Sequence, residues 1–228
     1  MATSPYKDTV FILEFIHNLN PRTILDVGAG FGRWGFLCRC HFGGGISLTV
    51  NAPQPLRIDA VEAFARNVNP VYEAVYNRTF VGDARDIVPK AGEYDVVICS
   101  HMVEHLDKED GRRLMAEMRR HARMALILAF PFNDPLRGPI EGNEFESHRS
   151  TWVREDFRDS DALVRGFPFL GGVQAGVVIY PQDANARWHV KTLRNPLRVW
   201  AVKKLPKLMI AARRLMGARR ARTEGEAT

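Results

Sequence analysis

The stretch TILDVGAGFGRWGF, residues 23–36, constrains this chain more than any other: an apolar run closes on an acid and breaks at once into glycines. Thr23–Val27 is short, apolar and followed by turn residues, as a strand buried in a parallel sheet should be. Arg33–Phe42 then resumes helical spacing. Gly28, Gly30 and Gly32 between them let the backbone reverse through conformations that side chains resist. Strand, glycine turn and helix in this order gather free backbone N–H groups and the positive end of a helix dipole at one uncrowded spot.

The alternation continues along the chain. A first helix is predicted over Asp8–Asn18, capped by Asp8 or Thr9 and stopped by Asn20-Pro21. Residues 43–56, rich in glycine and proline, read as an insertion before a second strand that starts at Arg57 and closes on Glu62. A helix at Pro70–Tyr76 leads to a third strand ending in Asp83, and YDVVICS (94–100) supplies a fourth that is apolar throughout. Lys108–Ala122 is an amphipathic helix with Leu114, Met118 and Ala122 on one face. A fifth strand, 124–130, is closed by Pro131, and 132–152 reads as a loop suited to an acceptor site. Residues 153–166 suit a helix, and 167–181 suit two short strands returning on the sheet's edge. These elements predict an α/β fold: a seven-stranded, mostly parallel, Rossmann-like sheet with helices on both faces.

With 228 residues, 46% of them apolar, the chain can bury one ordinary core, so one domain is expected over 1–183 with a basic tail at 184–228. The charge divides the same way. Residues 187–222 carry 12 Lys and Arg and no acid, whereas 1–186 carry 20 basic and 24 acidic side chains. Three cysteines without a CxxC pair argue for reduced thiols, and the N-terminal stretch, interrupted by Asp8, Glu14 and His17, lacks the apolar core of a signal peptide. A cytoplasmic protein is expected.

The acids choose the ligand class. Gly30, Gly32 and Gly35 formally satisfy a dinucleotide-binding pattern, but Asp26 closes the first strand where its charge repels a pyrophosphate and attracts an ammonium or sulfonium group. Glu62 is placed to accept both hydroxyls of a ribose, and Asp83 to accept from an adenine amino group. Three acids at successive strand ends fit one adenosine ligand with a positive end.

Asp26-x-Gly28-x-Gly30-x-Gly32, Glu62, the GDA of 82–84 and YDVVICSHMVEHL at 94–106 together resemble the class I S-adenosylmethionine-dependent methyltransferases, in the branch acting on small molecules. The resemblance spans residues 23–131. It implies that Asp26, Gly28, Ala29, Gly30 and Gly32 meet the methionine carboxylate and amino group, Glu62 the ribose, Asp83 and Ala84 the adenine, and Ser100 the methionine part. The 36 positions between Asp26 and Glu62 exceed the roughly 20 of a compact unit, and the insertion accounts for the excess.

Methyl transfer from a sulfonium is an in-line displacement, so the protein chiefly aligns the acceptor and excludes water. For a hydroxyl acceptor a base must take the proton, and His148 is expected to serve, with His105 as its rival. Glu104 reads as structural. Glu144, Glu146 and His148 alternate like metal ligands, but no second cluster completes them, and metal-independent chemistry is expected. The expected function is O-methylation of a sugar, lipid-linked or natural-product acceptor. The alternatives are a protein that binds the cofactor without turnover and an RNA methyltransferase. The tail reads as a helix docked on the body, ahead of contact with an anionic membrane and then of nucleic acid.

Overall fold

The computed structural model describes residues 8–42, 55–139, 144–158, 161–168 and 173–195. The chain divides into two units, Met1–Arg187 and Trp188–Thr228. In the first, seven strands form one sheet: β1 (Thr23–Val27), β2 (Arg57–Glu62), β3 (Arg78–Val81), β4 (Tyr94–Ser100), β5 (Ala122–Phe132), β6 (Leu163–Pro168) and β7 (Gln174–Pro181). Their order is β3-β2-β1-β4-β5-β7-β6. The five strands from β3 to β5 run parallel, and β7 pairs antiparallel with both β5 and β6. The order reverses between β1 and β4, and a crevice opens at the carboxyl ends of strands at such a switch point.

Helices α1 (Thr9–Leu19), α2 (Arg33–Phe42) and α3 (Pro70–Val75) pack together, and α2 lies against β2. The short α4 (Ala84–Ile87) packs on β2, and α5 (Lys108–His121) on β4 and β5. The alternation of apolar residues decides this. Leu25, Val27, Val97, Cys99, Leu126 and Leu128 cluster with Leu114, Met115 and Met118 of α5, while the intervening Ile24, Ile98 and Ile127 are also fully buried. A sheet covered on both faces needs apolar side chains at both parities, which is why its strands read as unbroken apolar runs.

Arg39 of α2 is 3% exposed and ties this helix to its neighbours. Its guanidinium donates to the carbonyls of Val75 (2.7 Å) and Leu56, and to Asn77 Oδ1 (3.0 Å). Arg39→Met keeps the stem but strands these acceptors. It is expected to lower unfolding free energy by about 2 kcal/mol, read from urea denaturation.

Several sequence expectations need correction. Residues 153–166 are not a helix: a single turn at Arg154–Phe157 precedes β6, which begins at Leu163. Phe157 is pulled into the core against Phe130, Phe132 and Trp152, so tertiary packing overrides the helical pattern. Of the two returning strands, only β6 is at the edge; β7 is interior. The third strand ends at Val81, and Asp83 instead caps α4 by accepting from Arg85 N (2.8 Å). Pro131 does not close β5, which runs to Phe132. Ala129 turns its carbonyl toward β4, accepting from His101 N (2.6 Å), so Pro131 two residues later faces the same side. There β4 has already ended, and the missing N–H costs no ladder bond.

The expected tail starts within α6 (Ala184–Arg194). In the second unit Thr192 Oγ1 donates to the Trp188 carbonyl (2.9 Å). Residues 196–228, on which the competing readings of the tail fall, and 43–54, most of the expected insertion, lie outside the described residues. Among the described residues no helix is long and apolar enough to cross a membrane.

Candidate active site

The glycine turn follows β1 at the switch point. Gly28, Gly30 and Gly32 all have positive φ (74°, 57° and 87°), a region that non-glycine residues seldom occupy. The amides of Gly28 and Ala29 both donate to the Val61 carbonyl (2.8 and 3.1 Å), fastening the turn to β2. A Cβ at Gly28 would stand 2.7 Å from Met102, whereas one at Gly30 would meet nothing within 4 Å. The turn is therefore packed from beneath and open at Gly30, a cradle that a ligand can enter.

Two tyrosines, one in α3 and one at its end, hold this turn and were not among the expected site residues. Tyr72 Oη donates to the Gly30 carbonyl (2.6 Å), and Tyr76 Oη donates to Asp26 Oδ2 (2.6 Å) while accepting from Gly35 N (3.3 Å). Tyr72 in α3 and Tyr76 at its C-terminal cap are four apart in VYEAVY, a spacing present in the sequence. The rings lie 4.8 Å apart.

Asp26 is 1% exposed, and its Oδ1 has no hydrogen bond among the described residues. Burial pushes its pKa up to about 7 against the opposing bond from Tyr76. Its carboxylate is thus a buried brace under the turn, and at neutral pH its charge is only partial. Glu62 binds the turn directly. Its Oε2 accepts from Gly30 N (2.7 Å) and its Oε1 from Phe64 N (2.8 Å) and Asn67 Nδ2 (3.3 Å). Burial raises its pKa, and the bonds from Phe64 and Gly30 oppose that. A carboxylate has about four lone-pair sites, so one remains for a ligand hydroxyl.

Asp83 caps α4 and pairs with Arg85 (2.6 Å), which also holds Asp110 (2.6 Å); the bond from Arg85 lowers the Asp83 pKa. Ala84 is buried behind it, and Ser100 ends β4 half-buried beside Ala129.

Beyond β4, His101 adopts φ 53°, and the single turn Val103–His105 carries Glu104 and His105. The returning segment is pinned onto this turn, because the Glu104 carbonyl accepts from Arg149 N (2.9 Å) and Ser150 N (3.1 Å). That brings His148 to His105, their rings edge-on at 4.9 Å. His105 Nδ1 lies 3.1 Å from the Ser147 carbonyl, which can only accept, so Nδ1 carries the proton. Its Nε2 lone pair is left open. His148 differs: it is 4% exposed, Arg137 Nη2 donates to its Nε2 (2.6 Å), and its Nδ1 faces Asp134 Oδ2 at 3.0 Å. Burial lowers its pKa. Asp134 and Arg137 sit in irregular chain, and no spacing in the sequence announces them.

Glu144–Glu146 form a single turn, not extended backbone, so Glu144, Glu146 and His148 do not share a face as alternating ligands would. Phe145 is 55% exposed and its ring lies 5.9 Å from that of Phe64, joining this segment to the end of β2.

Residues 24–124 match the family model of a methyltransferase domain. No curated protein sequence matches the chain. Among solved structures, TehB from Haemophilus influenzae is 14% identical with a TM-score of 0.54, the match covering 80% of this chain and 64% of TehB. Magnesium protoporphyrin IX methyltransferase (ChlM) from Synechocystis PCC 6803, solved with bound SAH, is 14% identical at a TM-score of 0.54, covering 77% and 81%. An O-methyltransferase family protein from Burkholderia thailandensis is 14% identical at 0.52, covering 78% and 56%. The chain spans less than two thirds of the TehB and Burkholderia chains, and at these identities the likeness is one of fold.

Proposed function

We propose that the chain, whose residues 24–124 match a methyltransferase-domain model, is a class I, S-adenosylmethionine-dependent enzyme that methylates a hydroxyl oxygen of a small-molecule acceptor. The cofactor supplies a methyl group already activated by the cationic sulfur that carries it. The open turn at Gly30 suits that ligand, with Gly28, Ala29 and Gly32 shaping the backbone cradle, Glu62 offering its remaining lone pair to the ribose, Asp83 and Ala84 the adenine side, and Ser100 the methionine side. Asp26 acts from beneath, holding Tyr76 and through it Gly35.

The observation that carries the acceptor reading is the His105 imidazole, whose Nδ1–H is committed to Ser147 and whose Nε2 is left to accept a proton. Of the two expected bases His105 is favoured, since the His148 Nε2 is already occupied by Arg137. Exposed Phe145 beside Phe64 favours an acceptor with an apolar face, such as a natural product or the ring face of a sugar. The likeness to an O-methyltransferase family protein supports oxygen as the acceptor atom.

Calorimetry with S-adenosylmethionine and S-adenosylhomocysteine, followed by mass spectrometry over a panel of hydroxylated acceptors, tests the reading. Binding of both nucleosides and a product one methyl heavier are expected. Binding without any methylated product across the panel identifies a cofactor-binding protein that does not turn over.

A further inference from the structure

We propose that Glu104, His105 and His148 bind one divalent transition-metal ion at the acceptor end of the crevice. One ligand atom from each lies within 4.8 Å of the other two. Glu104 is 2% exposed, yet among the described residues its Oε2 has no hydrogen-bond partner, and its Oε1 has only His101 Nδ1 at 3.3 Å without hydrogen-bond alignment. An ionised carboxylate out of water and short of donors calls for a cation.

In both imidazoles Nδ1 is turned to an acceptor, as in ligating histidines: His105 donates toward the Ser147 carbonyl at 3.1 Å and leaves its Nε2 over, and His148 Nδ1 lies 3.0 Å from the Asp134 carboxylate without hydrogen-bond alignment. The Nε2 of His148 already has a positive neighbour, the guanidinium of exposed Arg137 at 2.6 Å, which stands where the ion's charge would be and can swing into solvent. Metal–ligand bonds of about 2.1 Å in a tetrahedron set ligand atoms about 3.4 Å apart, so binding draws the cluster in from 4.8 Å by up to about 1.4 Å, through side-chain rotation. Two imidazole nitrogens and one carboxylate suit cobalt, zinc, manganese or ferrous iron over calcium or magnesium, which prefer all-oxygen sites. Three protein ligands leave positions open for an acceptor oxygen.

This departs from the sequence expectation of metal-free chemistry, which weighed Glu144 and Glu146 in place of Glu104 and His105. With an ion bound, the His105 lone pair holds metal and not the acceptor's proton. Use of the ion in turnover rests on the methyl-transfer reading; its binding does not.

The test is a titration of the full, EDTA-dialysed chain with cobalt(II) chloride, without nucleoside or acceptor, read by visible absorption and calorimetry. One equivalent with ligand-field bands is expected. Glu104→Gln, which keeps the side-chain shape, should weaken binding by about 100-fold or more, while Glu109→Gln on the exposed face of α5 leaves it unchanged. Arg137→Ala, which frees the His148 Nε2 without altering any ligand, should tighten binding by about tenfold; a 1.4 kcal/mol change in competition suffices. Circular dichroism confirms that each variant is folded. Absence of the bands, weak binding of several equivalents, or bands unchanged in Glu104→Gln overturns the proposal. Metal binding without detectable methyl transfer sustains it and counts against the proposed function alone.

Discussion

Replacing Glu62 with alanine is expected to weaken S-adenosylmethionine binding by at least about 100-fold. The carboxylate fastens the turn at Gly30, the loop at Phe64 and Asn67, and, on the proposed reading, the ribose. Hydrogen bonds to a charged group contribute about 1.5–3 kcal/mol each, so losing one to the ligand and one that shapes its cradle amounts to two decades or more in affinity. Glu62→Gln should fall between: its single carbonyl oxygen replaces one carboxylate oxygen, and its amide turns a donor toward Gly30 N–H or Phe64 N–H. Calorimetric titration at fixed pH measures both. Affinity within threefold of the parent in Glu62→Ala removes the ribose assignment.

Asp26→Asn is expected to abolish a pH dependence of stability centred between pH 4 and 7. The Asp26 pKa is raised from 3.8 in the unfolded chain to about 7 in the fold, so the native state holds the proton more tightly. Its stabilising contribution is full below pH 4 and is lost as pH climbs through 7. At about 1.4 kcal/mol per unit the swing is about 4 kcal/mol. The asparagine carbonyl still accepts from Tyr76 and carries no charge to bury. Relative to the parent, the variant should be equal or weaker at pH 5 and clearly stronger at pH 8.5 in urea unfolding. Asp83, Glu104 and Asp156, whose pKa values are lowered, act in the opposite sense in both proteins and cancel in the difference. A difference between the two proteins that does not vary with pH places the titrating group elsewhere.

The strands and the glycine turn between β1 and α2 were legible because their signals are local. A strand, its terminal acid and the glycines that follow are contiguous, and the apolar parity of β1, β4 and β5 is fixed by burial on two faces. The part of the chain beyond β4 was less legible. Residues 153–166 carry helical spacing, but Phe157 is needed in an aromatic core assembled from β5 and the segment after it, and only contacts across the chain reveal that. His105 and His148 were singled out separately; what joins them is the pair of bonds from Arg149 and Ser150 to the Glu104 carbonyl, which no spacing encodes. From the sequence Asp26 reads as a charge that selects a cationic ligand. Tyr76, 50 positions away, makes it an interior brace.

The unequal lengths of β4 and β5 leave the crevice with one low side and one high one. Past Ser100 the parallel strands are finished, yet β5 and β7 stay laddered through Phe130–Gly176, Pro131–Ala175 and Phe132–Gln174. Phe132 presses on Gly176, where a Cβ would come within 2.6 Å of its ring, and Trp152 bridges to the same residue. The segment that follows therefore springs from a stiff ledge that, among the described residues, shares no hydrogen bond with the Gly28–Gly32 turn. Rebuilding that segment should alter which molecule is chosen while leaving nucleoside affinity where it was, so the two properties can be inherited, and engineered, apart.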